Sequence, residues 1–96
     1  MASSKEYLEY VLETLREVSG ITFRKMMGEY VIYKDGVVFG GIYDERFLIK
    51  KTTSVTKEGL TEEIPYEGAK PMLLIDTEDP HEVARLVGLV ADDLKH

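Results

Sequence analysis

Apolar residues recur at three- and four-residue steps from Tyr7 through Leu8, Val11, Leu12 and Leu15 to Val18, with Glu6, Glu9, Glu13, Arg16 and Glu17 on the other faces. That period predicts an amphipathic helix over residues 4–19. Ser3 and Glu6 have the spacing of a capping box, and Gly20 offers a left-handed stop. From Ile21 the period changes. Ile21, Phe23, Tyr30, Val31, Ile32 and Tyr33 are β-branched and aromatic, and Asp35-Gly36 stands between two apolar runs, the dipeptide that tolerates positive φ at both centres of a type I′ hairpin turn. A second turn at Asp44-Glu45-Arg46 separates Val37–Tyr43 from Phe47–Lys51, giving an antiparallel meander of three or four strands. Thr53 or Ser54 caps a short helix ending near Gly59, and Pro65 and Gly68 mark a loop. Met72-Leu73-Leu74-Ile75 reads as a buried strand. Asp79-Pro80-His81-Glu82 then combines an N-cap, a first-turn proline and a capping-box glutamate ahead of the stripe Val83, Leu86, Val87, Val90 and Leu94.

This order predicts an α+β fold: a two-layer sandwich with an antiparallel sheet of four to five strands and the N- and C-terminal helices packed on one face. Long βαβ crossovers are missing, which excludes a doubly wound parallel fold. Residues 1–96 read as a single domain, for which surface scaling gives roughly 5,600 Å² of accessible area. Forty-four per cent hydrophobic and 31% charged residues match an ordinary globular chain. The absence of cysteine rules out disulfides and thiolate metal sites and suits a reducing compartment. No apolar run is long enough for a membrane span and no basic leader precedes one, so a cytoplasmic protein without membrane partners is expected.

The net charge of −6 argues against non-specific nucleic-acid binding, yet it is uneven. Residues 21–57 hold seven Lys/Arg against four Asp/Glu, whereas residues 58–82 hold one Lys and eight Asp/Glu. Strand alternation spreads Arg24, Lys25, Lys34, Arg46, Lys50 and Lys51 over two faces. Residues with catalytic potential are sparse. His81 stands at a helix N-terminus and reads as a solvent-facing residue, His96 is terminal, and the pairs Glu62-Glu63, Glu78-Asp79 and Asp92-Asp93 diverge on any regular backbone, as solvated carboxylates do. No nucleophile elbow, phosphate loop or metal motif occurs. No catalytic residue, cofactor or metal is therefore expected. Gly40-Gly41 suggests a bulge or close helix approach, Gly88 a close helix contact, and Met26-Met27 core filling.

The stretch Arg24-Lys25-Met26-Met27-Gly28-Glu29-Tyr30, followed by Ile32-Tyr33-Lys34-Asp35-Gly36-Val37-Val38-Phe39 and Phe47-Leu48-Ile49-Lys50, resembles the N-terminal domain of the TfoX/Sxy family of competence regulators. Met27 replaces the family's usual Phe, and Glu29 stands where a second Gly is common. The resemblance implies a two-layer α+β fold and a non-enzymatic regulatory or protein-interaction role in transcription or DNA-uptake competence, with a transcription activator as partner class. It also implies that the family's C-terminal helical domain is not contained in these 96 residues. Arg24, Met26, Gly28, Tyr30, Gly36 and Phe39 carry over, mostly as structural positions. The candidate partner or ligand surface comprises Arg24, Lys25, Tyr30, Tyr33 and Lys50. An alternative is a small-molecule or anion-binding groove near Arg24 and Tyr30. Self-association through a free sheet edge or the Val/Leu helix stripe is a further expectation.

Overall fold

In the computed structural model, which describes residues 4–95, helix α1 spans Lys5–Thr14, followed by strands β1 (Ile21–Met26), β2 (Glu29–Lys34), β3 (Val37–Ile42) and β4 (Phe47–Ile49). A four-residue helix α2 (Thr53–Thr56), two short strands β5 (Glu62–Glu63) and β6 (Met72–Leu74) and helix α3 (Pro80–Lys95) complete the chain. All neighbouring strands pair antiparallel in the order β1-β2-β3-β4-β6-β5. The sheet thus has six strands instead of four to five. The addition is β5, whose acidic residues read as loop but are held by Lys51 Nζ on Glu62 at 2.7 Å and Arg46 Nη1 on Glu63 at 2.7 Å.

Three consecutive hairpins build the meander. Met27-Gly28, Asp35-Gly36 and Asp44-Glu45 each supply two residues with positive φ, the requirement of a two-residue type I′ turn whose twist matches the strands. The first of these was not evident from sequence, because methionine is an uncommon first residue in such a turn. In β3 the register shifts between Ile32 and Tyr33 of the facing strand, so the Gly40-Gly41 region does carry a bulge. A Cβ on Gly40 would strike the Leu48 carbonyl, which makes the close neighbour a strand and not a helix.

One face of the sheet is covered. Tyr30, Ile32, Phe39, Ile42, Phe47, Ile49, Leu73 and Ile75 pack with Leu8, Val11 and Leu15 of the N-terminal segment, Val55 of α2, and Val83, Leu86, Val87 and Val90 of α3. The apolar stripe of α3 is therefore spent on the core, which corrects the expectation that it could pair with a second copy. The accessible area, 5784 Å², agrees with the scaling estimate. Among the described residues, no helix is long and apolar enough to cross a membrane.

Helix ends differ in detail from expectation. Ser3 and His96 lie outside the described residues; Ser4 caps α1, its Oγ accepting from the Tyr7 N–H. Helix α1 stops at Thr14 rather than residue 19. Thr14 Oγ1 donates to the Val11 carbonyl at 2.7 Å, and the following N–H groups of Arg16 and Val18 bond three residues back, so the chain tightens into turns before Gly20 reverses it. Asp79 caps α3 by accepting from the His81 N–H. Glu82 does not close the capping box: it accepts from Arg85 instead, and the Asp79 N–H donates to Thr77 Oγ1. Nothing lies within 4 Å of a Cβ built on Gly88, so no close helix contact requires that glycine.

Candidate functional site

Helices cover one face of the sheet, and the opposite face carries the unusual side chains. Register fixes which residues share it, because directly paired residues point the same way and neighbours along a strand point oppositely. Arg24 pairs with Val31, Met26 with Glu29 and Thr22 with Tyr33, and all belong to the open face. Lys25 pairs with Tyr30 on the helix face. Tyr30 is a core residue, 5% exposed, its ring in a T-shaped contact with that of Phe23 at a centroid distance of 6.0 Å. Arg24 and Tyr30 consequently point to opposite sides of the sheet, and no groove contains both.

The remaining candidates separate along the same lines. Arg24, Tyr33 and Lys50 sit on the open face, Lys25 on the helix side at the sheet edge. Of the other basic residues, Lys34 donates to the Ser19 carbonyl and to Asp35, and Lys51 and Arg46 engage Glu62 and Glu63. Arg24, Lys25, Lys50 and Lys70 have no ion-pair partner among the described residues.

Arg46 organises the open face. Its Nε donates to the Tyr43 carbonyl at 3.1 Å, Nη1 to Glu63, and Nη2 to the carbonyls of Ile64 and Pro65 at 3.2 and 3.3 Å. The planar fork of guanidinium donors suits this staple, which ties the loop after β5 to the β3–β4 turn. Tyr66 is thereby set beside Tyr43, with ring centroids 6.1 Å apart and an interplanar angle of 50°. Glu29 braces the same turn by accepting from the Asp44 N–H at 3.0 Å. Burial, followed by the neighbouring Tyr66 and Glu29, pushes the Tyr43 phenol above its ordinary value.

Two hollows flank this tyrosine pair. One, of about 600 Å³, is lined by Met26, Met27, Glu29, Val31, Tyr43 and Tyr66. The other, of about 510 Å³, includes Val38, Lys50, Lys70, Tyr43, Tyr66 and Met72. Met27 is fully exposed, Met26 is 49% exposed and Tyr66 63% exposed. This overturns the expectation that Met26-Met27 fills the core. The hairpin places Met27 at a turn tip and Met26 on the open face, away from the helices. A Met-Gly pair between two β-rich runs was the available sequence signal, and Pro65 and Gly68 around Tyr66 marked an aromatic on a loop.

The histidine and the acidic pairs have structural partners. His81 Nδ1 lies 3.0 Å from Glu17 Oε1 on the surface, joining the start of α3 to the segment after α1. Asp93 accepts from the Ser54 N–H and Oγ, both at 2.8 Å, replacing the missing side-chain cap of α2. Among the described residues no group of three or more His, Cys, Asp or Glu side chains could hold a metal ion.

A family model described as the TfoX N-terminal domain matches residues 13–87. No curated protein matches the chain.

Proposed function

The chain belongs to the TfoX N-terminal domain family, and we propose that it is a non-enzymatic interaction module of the cytoplasm that docks a protein partner on the open face of its sheet, in the service of transcription or competence regulation. The observation that carries the reading is the cluster of Met26, Met27 and Tyr66, apolar side chains exposed together on the face opposite the helices. Methionine suits a surface that must adapt to a partner, because its unbranched thioether side chain repacks readily. Tyr66 adds an aromatic anchor with a polar tip. Arg24, Lys50 and Lys70 around this patch, without ion-pair partners among the described residues, favour an acidic partner surface, and the resemblance of the central meander to competence regulators supports a transcription activator as the partner class. An interaction role also accords with histidine and carboxylate side chains engaged in caps and surface pairs.

The test is affinity capture from cell extract with the wild-type chain and Tyr66→Ser as baits, compared by quantitative mass spectrometry. Proteins enriched on the wild type should be depleted on Tyr66→Ser, whereas identical recoveries would refute the open-face reading. A second reading, binding of a small anion, is favoured by one observation: Lys50 and Lys70 face the hollow beside Tyr43 and Tyr66, whose volume falls within the range of ligand pockets. It predicts a thermal shift with phosphorylated or carboxylated metabolites that Lys50→Glu abolishes. Flat melts across such a library would remove it.

A further inference from the structure

Among the described residues strand β1 is a free edge, bonded only to β2. It is six residues long, and every side chain from Thr22 to Met26 is exposed. Its outward backbone groups can be assigned. The two-residue turn at Met27-Gly28 makes Met26 and Glu29 a hydrogen-bonded pair, and bonded pairs then alternate along the ladder. Thr22, Arg24 and Met26 therefore bond inward to β2, in phase with the Asp35 N–H donating to the Gly20 carbonyl. The N–H and C=O groups of Ile21, Phe23 and Lys25 point outward. An edge of this length is a template for another strand unless its side chains prevent pairing.

Charge selects the strand. Residues 21–28 contain Arg24 and Lys25 and no acid, in a chain of net charge −6. One cation lies on each face of the sheet, and neither has an ion-pair partner among the described residues. A second copy of β1 is a poor occupant. Antiparallel pairing about a twofold axis that keeps the faces aligned places Arg24 opposite its counterpart or diagonal to it, at about 4.5–8 Å, where like charges repel. The far edge of another copy is little better, since β5 has two residues and its carboxylates already hold Arg46 and Lys51.

We infer that the β1 edge binds an extended acidic segment of another protein by strand addition, the outward backbone of Ile21, Phe23 and Lys25 forming the ladder while Arg24 and Lys25 select carboxylates on either face. Phe23, 47% exposed and braced by the Tyr30 ring, supplies the apolar neighbour for an alternating side chain. Strand addition draws affinity from main-chain bonds and specificity from alternate side chains, which matches this division. The inference goes beyond the open-face reading, because the edge operates whether or not Met27 and Tyr66 are engaged.

The test is fluorescence anisotropy of the full chain with a labelled peptide of repeating Glu-Glu-Val, about as long as β1, which puts carboxylates on both faces of an extended strand, against a peptide of repeating Lys-Lys-Val. The acidic peptide should bind in a salt-sensitive manner and the basic one should not. Phe23→Pro removes an outward donor while leaving the β2 ladder intact, and Phe23→Ala keeps that donor. Phe23→Pro should bind more weakly than Phe23→Ala by a factor of roughly three to ten. The double variant Arg24→Glu/Lys25→Glu, which alters no backbone donor, should reverse the preference between the two peptides. Equal binding of both peptides, an unchanged preference in the charge-reversed variant, or equal affinities for Phe23→Pro and Phe23→Ala would overturn the inference. Concentration-dependent dimerisation abolished by Phe23→Pro would overturn it in favour of self-pairing. The open-face reading is probed separately, since Tyr66→Ser should leave peptide binding unchanged.

Discussion

Met27 adopts a φ of 53° at the tip of the first hairpin and gains no burial in exchange. The left-handed conformation is costly for a residue with Cβ and less so for asparagine, which also suits the first position of a type I′ turn. Met27→Asn should therefore stabilise the fold by about 0.5–1 kcal/mol. A long apolar side chain where it weakens the turn accords with the proposed docking role. The tyrosines give a second expectation at this scale. Burial pushes the Tyr7 and Tyr43 phenols above the ordinary value near 10, with Tyr10 acting on the first and Tyr66 on the second. Below pH about 10 the phenols are neutral in both states. Above it the unfolded chain releases its protons first, so stability falls as pH rises. Thermal melts across this alkaline range should show the decline, and Tyr43→Phe should reduce its slope.

At the scale of elements, strong local chemistry was legible and weak chemistry was not. Asp35-Gly36 and Asp79-Pro80 announced a hairpin and a helix start, because their φ preferences act within a few residues. Strand β5 was invisible: two glutamates pair with β6 and are held by Lys51 and Arg46, all of them distant in sequence. At the end of α1 the Val11 carbonyl accepts from both the Thr14 hydroxyl and the Leu15 N–H, after which the bonds run three residues back, a tightening that periodicity does not mark. Of the candidate surface, Arg24, Tyr33 and Lys50 share the open face, while Lys25 and Tyr30 turn away because a hairpin at Met27-Gly28 fixes their parity. Gly88 has open space where a Cβ would sit, so Gly88→Ala should raise stability by about 1 kcal/mol, measured by urea unfolding. Arg46→Ala removes the staple of the loop bearing Tyr66. It should destabilise the protein by about 1–3 kcal/mol and make the segment after β5 the first site cut in limited proteolysis.

Across the whole molecule, the two layers divide labour. The helix side holds the contiguous core, whereas Leu48, fully buried and paired with Gly41 and Leu74, lies on the opposite face of the sheet, outside that core. The sheet's first edge carries Arg24 and Lys25 without ion-pair partners among the described residues, whereas Glu62 and Glu63 on its last edge are paired with Lys51 and Arg46, so folding partly cancels the uneven charge seen along the chain. If the open face trades stability for partner binding, Met27→Asn should reveal it when melting temperature and partner recovery from extract are measured on the same preparation. The variant should melt higher than the wild type by a few degrees, roughly 4–8 °C per kcal/mol for a domain of this size, yet recover less partner. A variant that recovers partner as well as the wild type, whatever its melting temperature, would contradict it.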